Sequence, residues 1–325
     1  MNILVIGSGG FALKHAGILT EMEGVRVGAF CSRTLQHAES AAAAISASSG
    51  ETVAAYSDLS QALDAQKPDA ALIVVTPNAH GDTELELVRR RIPFLVEKPI
   101  GMDRETPERI AEAVTEAGLI TSVAFHLRYL DTTAVLTTML KATTPVIANG
   151  YWMGTLPPPP WWRHLSESGG QFVEQTVHIT DFVRLLFGEA ESVYASTSRR
   201  AITELHADAD VPDAGAAIIR MRNGLTVTLA NSCVGPESLR TGIEVVTPVA
   251  LFQFTSHALT IRREFEATEK RPGIDPYRAE IAAFVAAVRT GDTSDIRSSY
   301  ADALHTHRLT MAIVESARSG APVAL

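Results

Sequence analysis

At 325 residues, with 46% hydrophobic and 20% charged side chains, the chain has ordinary globular composition and enough length for two cores, which excludes long disorder. Its net charge of −9, with no basic cluster beyond Arg89-Arg90-Arg91, excludes nucleic acid as the expected partner. Two cysteines, Cys31 and Cys233, are too few for a disulfide framework and suit a reducing cytoplasm, and Gly7 cuts the first apolar run too early for a signal peptide or membrane span.

Residues 2–6 form an apolar run of strand length, followed at once by Gly7-Ser8-Gly9-Gly10-Phe11-Ala12, which opens a helix through Lys14, His15 and Leu19. Each small residue in this G-x-G-x-x-A spacing has a use. Gly7 allows a tight turn, Gly9 lets backbone approach a pyrophosphate, and Ala12 lets helix and strand pack closely. Gly10 and Phe11 begin the helix, whose free N–H groups and dipole favour the phosphates. A second strand over residues 25–30 ends in Cys31-Ser32-Arg33-Thr34. A domain specific for NAD usually carries an acidic residue there to bond the ribose hydroxyls. Ser32 and Arg33 hold that place instead, and a hydroxyl with a guanidinium suits a 2′-phosphate. NADP is the expected coenzyme, with NAD second.

Residues 35–49 read as an alanine-rich helix, 58–65 as a short one, and 70–75 as a strand closed by Thr76-Pro77-Asn78-Ala79-His80. Asn78 is the expected N-cap of the helix through Leu85 and Val88, and Thr76, Pro77, Asn78 and His80 are expected beside the dinucleotide. The apolar run 92–96 then ends in Glu97-Lys98-Pro99. Ligands bind at the carboxyl ends of strands in open α/β sheets, so these residues are placed for chemistry rather than core packing. The proline also permits a cis bond. Glu97 and Lys98 count with the coenzyme site, and Lys98 is the candidate proton carrier. A helix capped by Asp103 buries Ile110, Ala111, Val114 and Ala117 and stops at Gly118, and residues 119–125 add a strand. This alternation predicts a Rossmann domain, a doubly wound parallel sheet, over residues 1–122.

From residue 123 to 325 the texture is that of an α+β domain with a large, mostly antiparallel open sheet. Strands are expected over 146–153, 191–199, 214–222, 225–233, 243–255 and 258–263, with Asn223-Gly224 as a hairpin turn. Pro157-Pro158-Pro159-Pro160 is a stiff loop leading into Trp161-Trp162-Arg163, and two indoles with a guanidinium suit a polar, ring-shaped ligand. Gly169-Gly170 opens a single helix over 171–187. On it Gln171, Glu174, Gln175, His178 and Asp181 make one polar stripe on an otherwise apolar surface, so the stripe should face a cavity. Glu174 and His178 stand at i, i+4. Trp161, Trp162, Arg163 and Gln175 are the candidate substrate contacts, Lys98, His178 and Glu174 the candidate catalytic residues, and no metal is called for. Two last helices begin near Asp275-Pro276 and Ser299.

Together the glycine turn with His15, Thr76-Pro77-Asn78 with His80, Glu97-Lys98-Pro99, and the block from Gly169-Gly170 through His178 and Asp181 to Gly188 resemble a family over nearly the whole chain. It is the glucose–fructose oxidoreductase/inositol dehydrogenase/MocA-type (Gfo/Idh/MocA) family. The resemblance implies a nicotinamide-binding first domain, catalytic roles for Lys98 and His178, and subunit contacts through the second sheet, as a homodimer or homotetramer. In such proteins an aspartate usually stands where this chain has Glu174. The expected function is an NAD(P)-dependent oxidoreductase, cytoplasmic and bound neither to membrane nor to nucleic acid. It would move hydride between nicotinamide and a secondary alcohol or carbonyl of a sugar or polyol. Two alternatives stay open: a dinucleotide-sensing binding protein, and a redox-assisted glycoside-cleaving enzyme of the same fold.

Overall fold

In the computed structural model, which describes residues 1–325, the first third of the chain alternates strand and helix. The order is β1 Asn2–Ile6, α1 Gly10–Thr20, β2 Arg26–Cys31, α2 Leu35–Ser49, β3 Ala54–Tyr56, α3 Leu59–Gln66, β4 Ala70–Ile73, α4 Asp82–Arg89, β5 Phe94–Val96, α5 Glu105–Ala117 and β6 Thr121–Val123. The six strands are all parallel, in the order β3-β2-β1-β4-β5-β6. β1, β4 and β5 are apolar and buried almost without interruption, as the inner strands of a parallel sheet must be. The strand order reverses between β1 and β4, which opens a crevice at their carboxyl ends.

The remainder contains α6 Asp131–Lys141, β7 Ile147–Met153, α7 Leu165–Ser168, α8 Gln171–Glu174, α9 Val177–Phe187, β8 Ala190–Ser198, α10 Ile202–Leu205, β9 Ala214–Met221, β10 Thr226–Ser232, β11 Arg240–Val246, β12 Leu251–Phe254, β13 Leu259–Arg262, β14 Ala267–Lys270, α11 Pro276–Thr290, α12 Tyr300–Ser319 and β15 Val323–Ala324. Nine of these strands form one sheet, β14-β13-β12-β11-β7-β10-β9-β8-β15, antiparallel except for the β7–β10 pair. Asn223-Gly224 does turn β9 into β10, with Gly224 at φ +88° and the Leu225 N–H donating to Asn223 Oδ1. α9 lies directly on this sheet, because a Cβ at Gly150 would come within 2.6 Å of both Leu229 and Ile179. Phe182 from the same helix stacks on Phe254 at 4.4 Å.

Four expectations need correction. The first compact unit comprises Met1–Gly101, Glu105–Ala124 and Tyr277–Leu304, so the expected boundary at 122/123 holds only for the middle of the chain. Ile281, Phe284 and Val285 of α11 share a core with Ile3, Val5 and Leu95, which ties residues 277–304 to the parallel sheet. The second unit comprises Met102–Arg104, Phe125–Pro276 and His305–Leu325. The strand expected over 243–255 is two strands, split where Thr247 Oγ1 accepts the Ala250 N–H in a turn.

The single helix expected over 171–187 is also two. The Thr176 N–H reaches back to the Gln171 carbonyl, a wider loop than an α-turn, and the His178 N–H then bonds Gln175 in a tighter one. Side chains anchored to the sheet cause the break. Gln171 Nε2 donates to the carbonyls of Trp152 and Ser232, and Asn231 Nδ2 donates to Thr176 Oγ1 at 2.9 Å. Finally, Asn78 does not cap α4. It lies inside the 3-10 turn Pro77–Ala79, and Gly81 precedes the helix.

Candidate functional site

In the first unit the candidate residues gather at the carboxyl ends of β1, β2, β4 and β5. Gly7 has φ +113°, and a Cβ there would lie 1.9 Å from the Val74 carbonyl oxygen, so only glycine fits where the turn crosses β4. At Gly9 and Gly10 an added Cβ would meet nothing within 4 Å. The amino end of α1 therefore faces open space at these two glycines, which fits a pyrophosphate. Ala12 is fully buried, as close packing of α1 requires. Ser8 Oγ and Ser32 Oγ stand 2.8 Å apart and join the ends of β1 and β2. Arg33 beside them is exposed, as is Phe11.

The loop after β4 is held by its own side chains. Thr76 Oγ1 donates to Asn78 Oδ1, and the buried His80 ring pairs Nδ1 with Glu84 Oε1 at 2.6 Å. Glu84 Oε2 accepts the Gly81 N–H, so His80 works as a helix-start residue rather than as a face turned to a ligand. Burial pushes the Glu84 carboxyl up, but His80 and nearby backbone N–H groups outweigh it and hold the carboxyl below the usual range.

After β5, Glu97 is buried and accepts on two sides. His15 Nε2 meets its Oε1 at 2.6 Å, and the Lys98 N–H reaches its Oε2 at 3.2 Å. The Lys98–Pro99 bond is cis, and Lys98 itself is half-buried. His15 is a functional candidate that the sequence marked only as part of the glycine-turn motif. Its position on α1 lets one helix carry both the turn and the partner of Glu97. Tyr277 of α11 joins it, 6.0 Å from the His15 ring and under the Lys14 ammonium.

In the second unit His178 sits in an aromatic box. Its ring stacks on Trp152 at 5.7 Å and 18°, with the rings of His126 at 4.7 Å and Phe125 at 6.1 Å edge-on. Trp152 and His126 had no sequence signal, because strand β7 and the turn after β6 bring them in from afar. Glu174 ends α8, and its Oε2 accepts the Trp162 indole N–H at 2.7 Å. With the helix broken at 175–176, Glu174 and His178 do not share a continuous helical face.

The expected substrate contacts separate. Trp162 is 1% exposed in a cluster with Ile202, Val211 and Cys233, so its ring offers no face to a ligand. Trp161 and Gln175 are half-buried, and Gln175 Oε1 accepts from Gln171. Arg163 Nη1 donates to Asp208 Oδ1 at 3.2 Å and meets His206 Nδ1 at 3.3 Å. Asp181 does not face a cavity. It is a buried partner of Arg128 and Thr306.

The loop that holds Arg163 depends on Asp213, whose Oδ2 accepts the N–H groups of Arg200, Ala201 and Ile202. Burial raises the Asp213 carboxyl, yet these N–H bonds outweigh it and leave the carboxyl below the ordinary range. Its stabilisation is therefore complete above the unfolded pKa of ~3.9 and is lost as pH falls through the lower folded pKa. Asp213→Ala is expected to cost about 1–3 kcal/mol at neutral pH. In urea titrations at stepped pH the wild-type advantage should vanish in acid; an advantage unchanged down to the lowest pH would contradict this assignment.

A six-stranded doubly wound sheet with an open glycine turn, joined to a large antiparallel sheet, defines a two-unit dinucleotide-binding oxidoreductase. Residues 1–125 match the family model "Oxidoreductase family, NAD-binding Rossmann fold", and residues 143–247 match "GFO/IDH/MocA C-terminal domain". The chain belongs to the Gfo/Idh/MocA oxidoreductases. It is 25% identical over 182 residues to myo-inositol 2-dehydrogenase of Thermotoga maritima, a match spanning 55% of this chain and 54% of that protein. It is 24% identical over 291 residues to D-xylose 1-dehydrogenase (NADP(+)) 2 of Haloferax volcanii, spanning 83% and 85%. The fold matches the crystal structure of an Agrobacterium radiobacter oxidoreductase in complex with NAD+, L-tartaric acid and magnesium. That match has a TM-score of 0.84 and 16% identity, covering 100% of this chain and 98% of that one. No helix is long and apolar enough to cross a membrane.

Proposed function

We propose that the protein moves hydride between a nicotinamide coenzyme, preferentially NADP, and a secondary alcohol or carbonyl of a sugar or polyol. The observation that carries this reading is Glu97-Lys98-Pro99 at the end of β5, on the same sheet edge as the open glycine turn. Gly7, Gly9, Gly10 and Phe11 would hold the pyrophosphate and Ser32 with Arg33 the ribose phosphate. When bound, the nicotinamide supplies or receives the hydride. The rest of the work belongs to side chains. Lys98 Nζ takes the hydroxyl proton in oxidation and returns it in reduction. Glu97, tied to His15, accepts the Lys98 N–H and steadies the backbone from which the lysine side chain projects. His178 holds the hydroxyl or shares its proton, its ring plane set by Trp152.

The names of the inositol and xylose dehydrogenase relatives support a polyhydroxy substrate. A sugar ring has C–H faces for an indole such as Trp161 and hydroxyls for Glu174, Gln175 and Arg163. Simple aliphatic alcohols would leave those polar groups without partners and are not expected to react. A panel of polyols, sugars and keto-sugars, followed by nicotinamide absorbance, tests the reading; turnover of aliphatic alcohols alone would overturn it. Tyr194 and Ile218, directly opposed on β8 and β9 and both exposed, support association through the nine-stranded sheet. A monomer by light scattering would remove that part.

The coenzyme preference rests on Ser32 and Arg33 at the end of β2. The unmodified protein should show the higher kcat/KM with NADP(H). Arg33→Ala should lower it by roughly 10–150-fold, the worth of a charge-assisted bond of ~1.5–3 kcal/mol. Equal or better efficiency of the unmodified protein with NAD(H) would reverse the assignment.

A further inference from the structure

The Trp162 indole N–H donates to Glu174 Oε2 at 2.7 Å. The indole is fixed from three sides. The prolines of 157–160 stiffen the chain before it, and its ring is sealed among Ile202, Ala209, Val211 and Cys233. After it, Arg163 is tied to Asp208, and the Leu165 N–H donates to Asp210 Oδ1 at 2.6 Å. Its Nε1 thus has a set place and direction. Glu174 stands at the last position of α8, a helix only four residues long, just before the hydrogen-bond pattern shifts at Thr176 and His178. An indole N–H can only donate. The carboxyl oxygen that meets it must accept, and the ionised form accepts more strongly than the acid.

Resting on the dehydrogenase reading above, we infer that Trp162 is a positioning residue that holds the Glu174 carboxylate in one orientation, as a preset acceptor for a substrate hydroxyl or an imidazole N–H. The middle member of Trp161-Trp162-Arg163 then acts through Glu174 and not on the ligand itself. A shorter side chain does not span the same gap, so Glu174→Asp should behave like loss of the indole donor.

The inference is tested by a double-mutant cycle with a spectroscopic control. In the resting protein the Trp162 indole N–H resonance, identified by its loss in Trp162→Phe, should move upfield on Glu174→Gln. With a sugar or polyol substrate, Trp162→Phe should lower kcat by about 10–100-fold with KM changed less than about threefold, as for an interaction used mainly in the transition state. In a Glu174→Gln background the same change should cost less than about threefold. Because Trp162→Phe also trims a buried ring, 3-benzothienylalanine at position 162, which keeps the ring shape but replaces N–H by sulfur, should reproduce the loss. An indole resonance indifferent to Glu174→Gln overturns the inference, as does full activity with benzothienylalanine or strictly additive losses. If the unmodified protein turns over no sugar or polyol while the indole signature is present, the dehydrogenase reading has failed and takes the positioning role with it.

Discussion

Lys98→Met is expected to lower turnover by roughly 10²–10⁴-fold, the usual contribution of a positioned acid–base group. Methionine keeps most of the length and apolar stem of lysine but carries no proton. The glycine turn, which holds the pyrophosphate in the proposed reading, is built by Gly7 against Val74 and by the open positions at Gly9 and Gly10, none of which involves the lysine side chain. Coenzyme affinity, followed by titration calorimetry, should therefore change far less than kcat. Near wild-type turnover in Lys98→Met would remove the centre of the proposed site. Loss of coenzyme binding in parallel with turnover would instead make Lys98 a binding residue.

The parts of the protein that could be read from sequence are those whose reason is local. The turn from β1 into α1 is determined by glycines within six residues, and Asn223-Gly224 specifies its hairpin by backbone conformation alone. The strand–helix alternation of residues 1–122 needs only periodicity. What escaped is what long-range contacts decide. The pattern of α11 announces a buried face but not the core that receives it, and Ile281 and Phe284 pack with a sheet made more than 150 residues earlier. The break after α8 is made by Asn231 and by the carbonyls of Trp152 and Ser232, all on the sheet, so the apolar periodicity runs through it without a sign. β14 is exposed at every position and β15 is two residues long, so neither carries an alternating pattern.

The candidate site residues divide in the same way. Lys98, His178 and Glu174 stand in short motifs and could be named from them. His126 and Trp152 could not, since the stacking on His178 joins three separate elements. Trp162 illustrates a different failure. Its neighbours and the proline run suggested a ligand platform, whereas burial makes it a donor to Glu174 instead. Residue type indicated the neighbourhood, and exposure decided the role.

Asp181 shows how large the cost of such a misplaced role is. It looked like one more member of a cavity-facing stripe, yet it is 1% exposed and held by Arg128 through two bonds, Nε to Oδ2 at 2.7 Å and Nη2 to Oδ1 at 2.6 Å. Thr306 Oγ1 donates to the same carboxylate at 2.8 Å, and Arg184, itself paired with Glu189, donates to Thr306. Arg128→Met removes the cation and leaves the buried Asp181 carboxylate with the Thr306 hydroxyl in place of a charged partner. The expected loss is about 3–5 kcal/mol of stability, because the stranded charge keeps its desolvation cost. Adding Asp181→Leu should restore much of it, since apolar groups of similar volume often replace a buried pair at little net cost. The protein reports this cleanly: its three tryptophans, Trp152, Trp161 and Trp162, all lie in the second unit, so fluorescence in urea follows that unit alone. A loss under about 1 kcal/mol in Arg128→Met would show that water reaches Asp181. A double variant as stable as the original but unable to turn over substrate would return Asp181 to the candidate site from which its burial removes it.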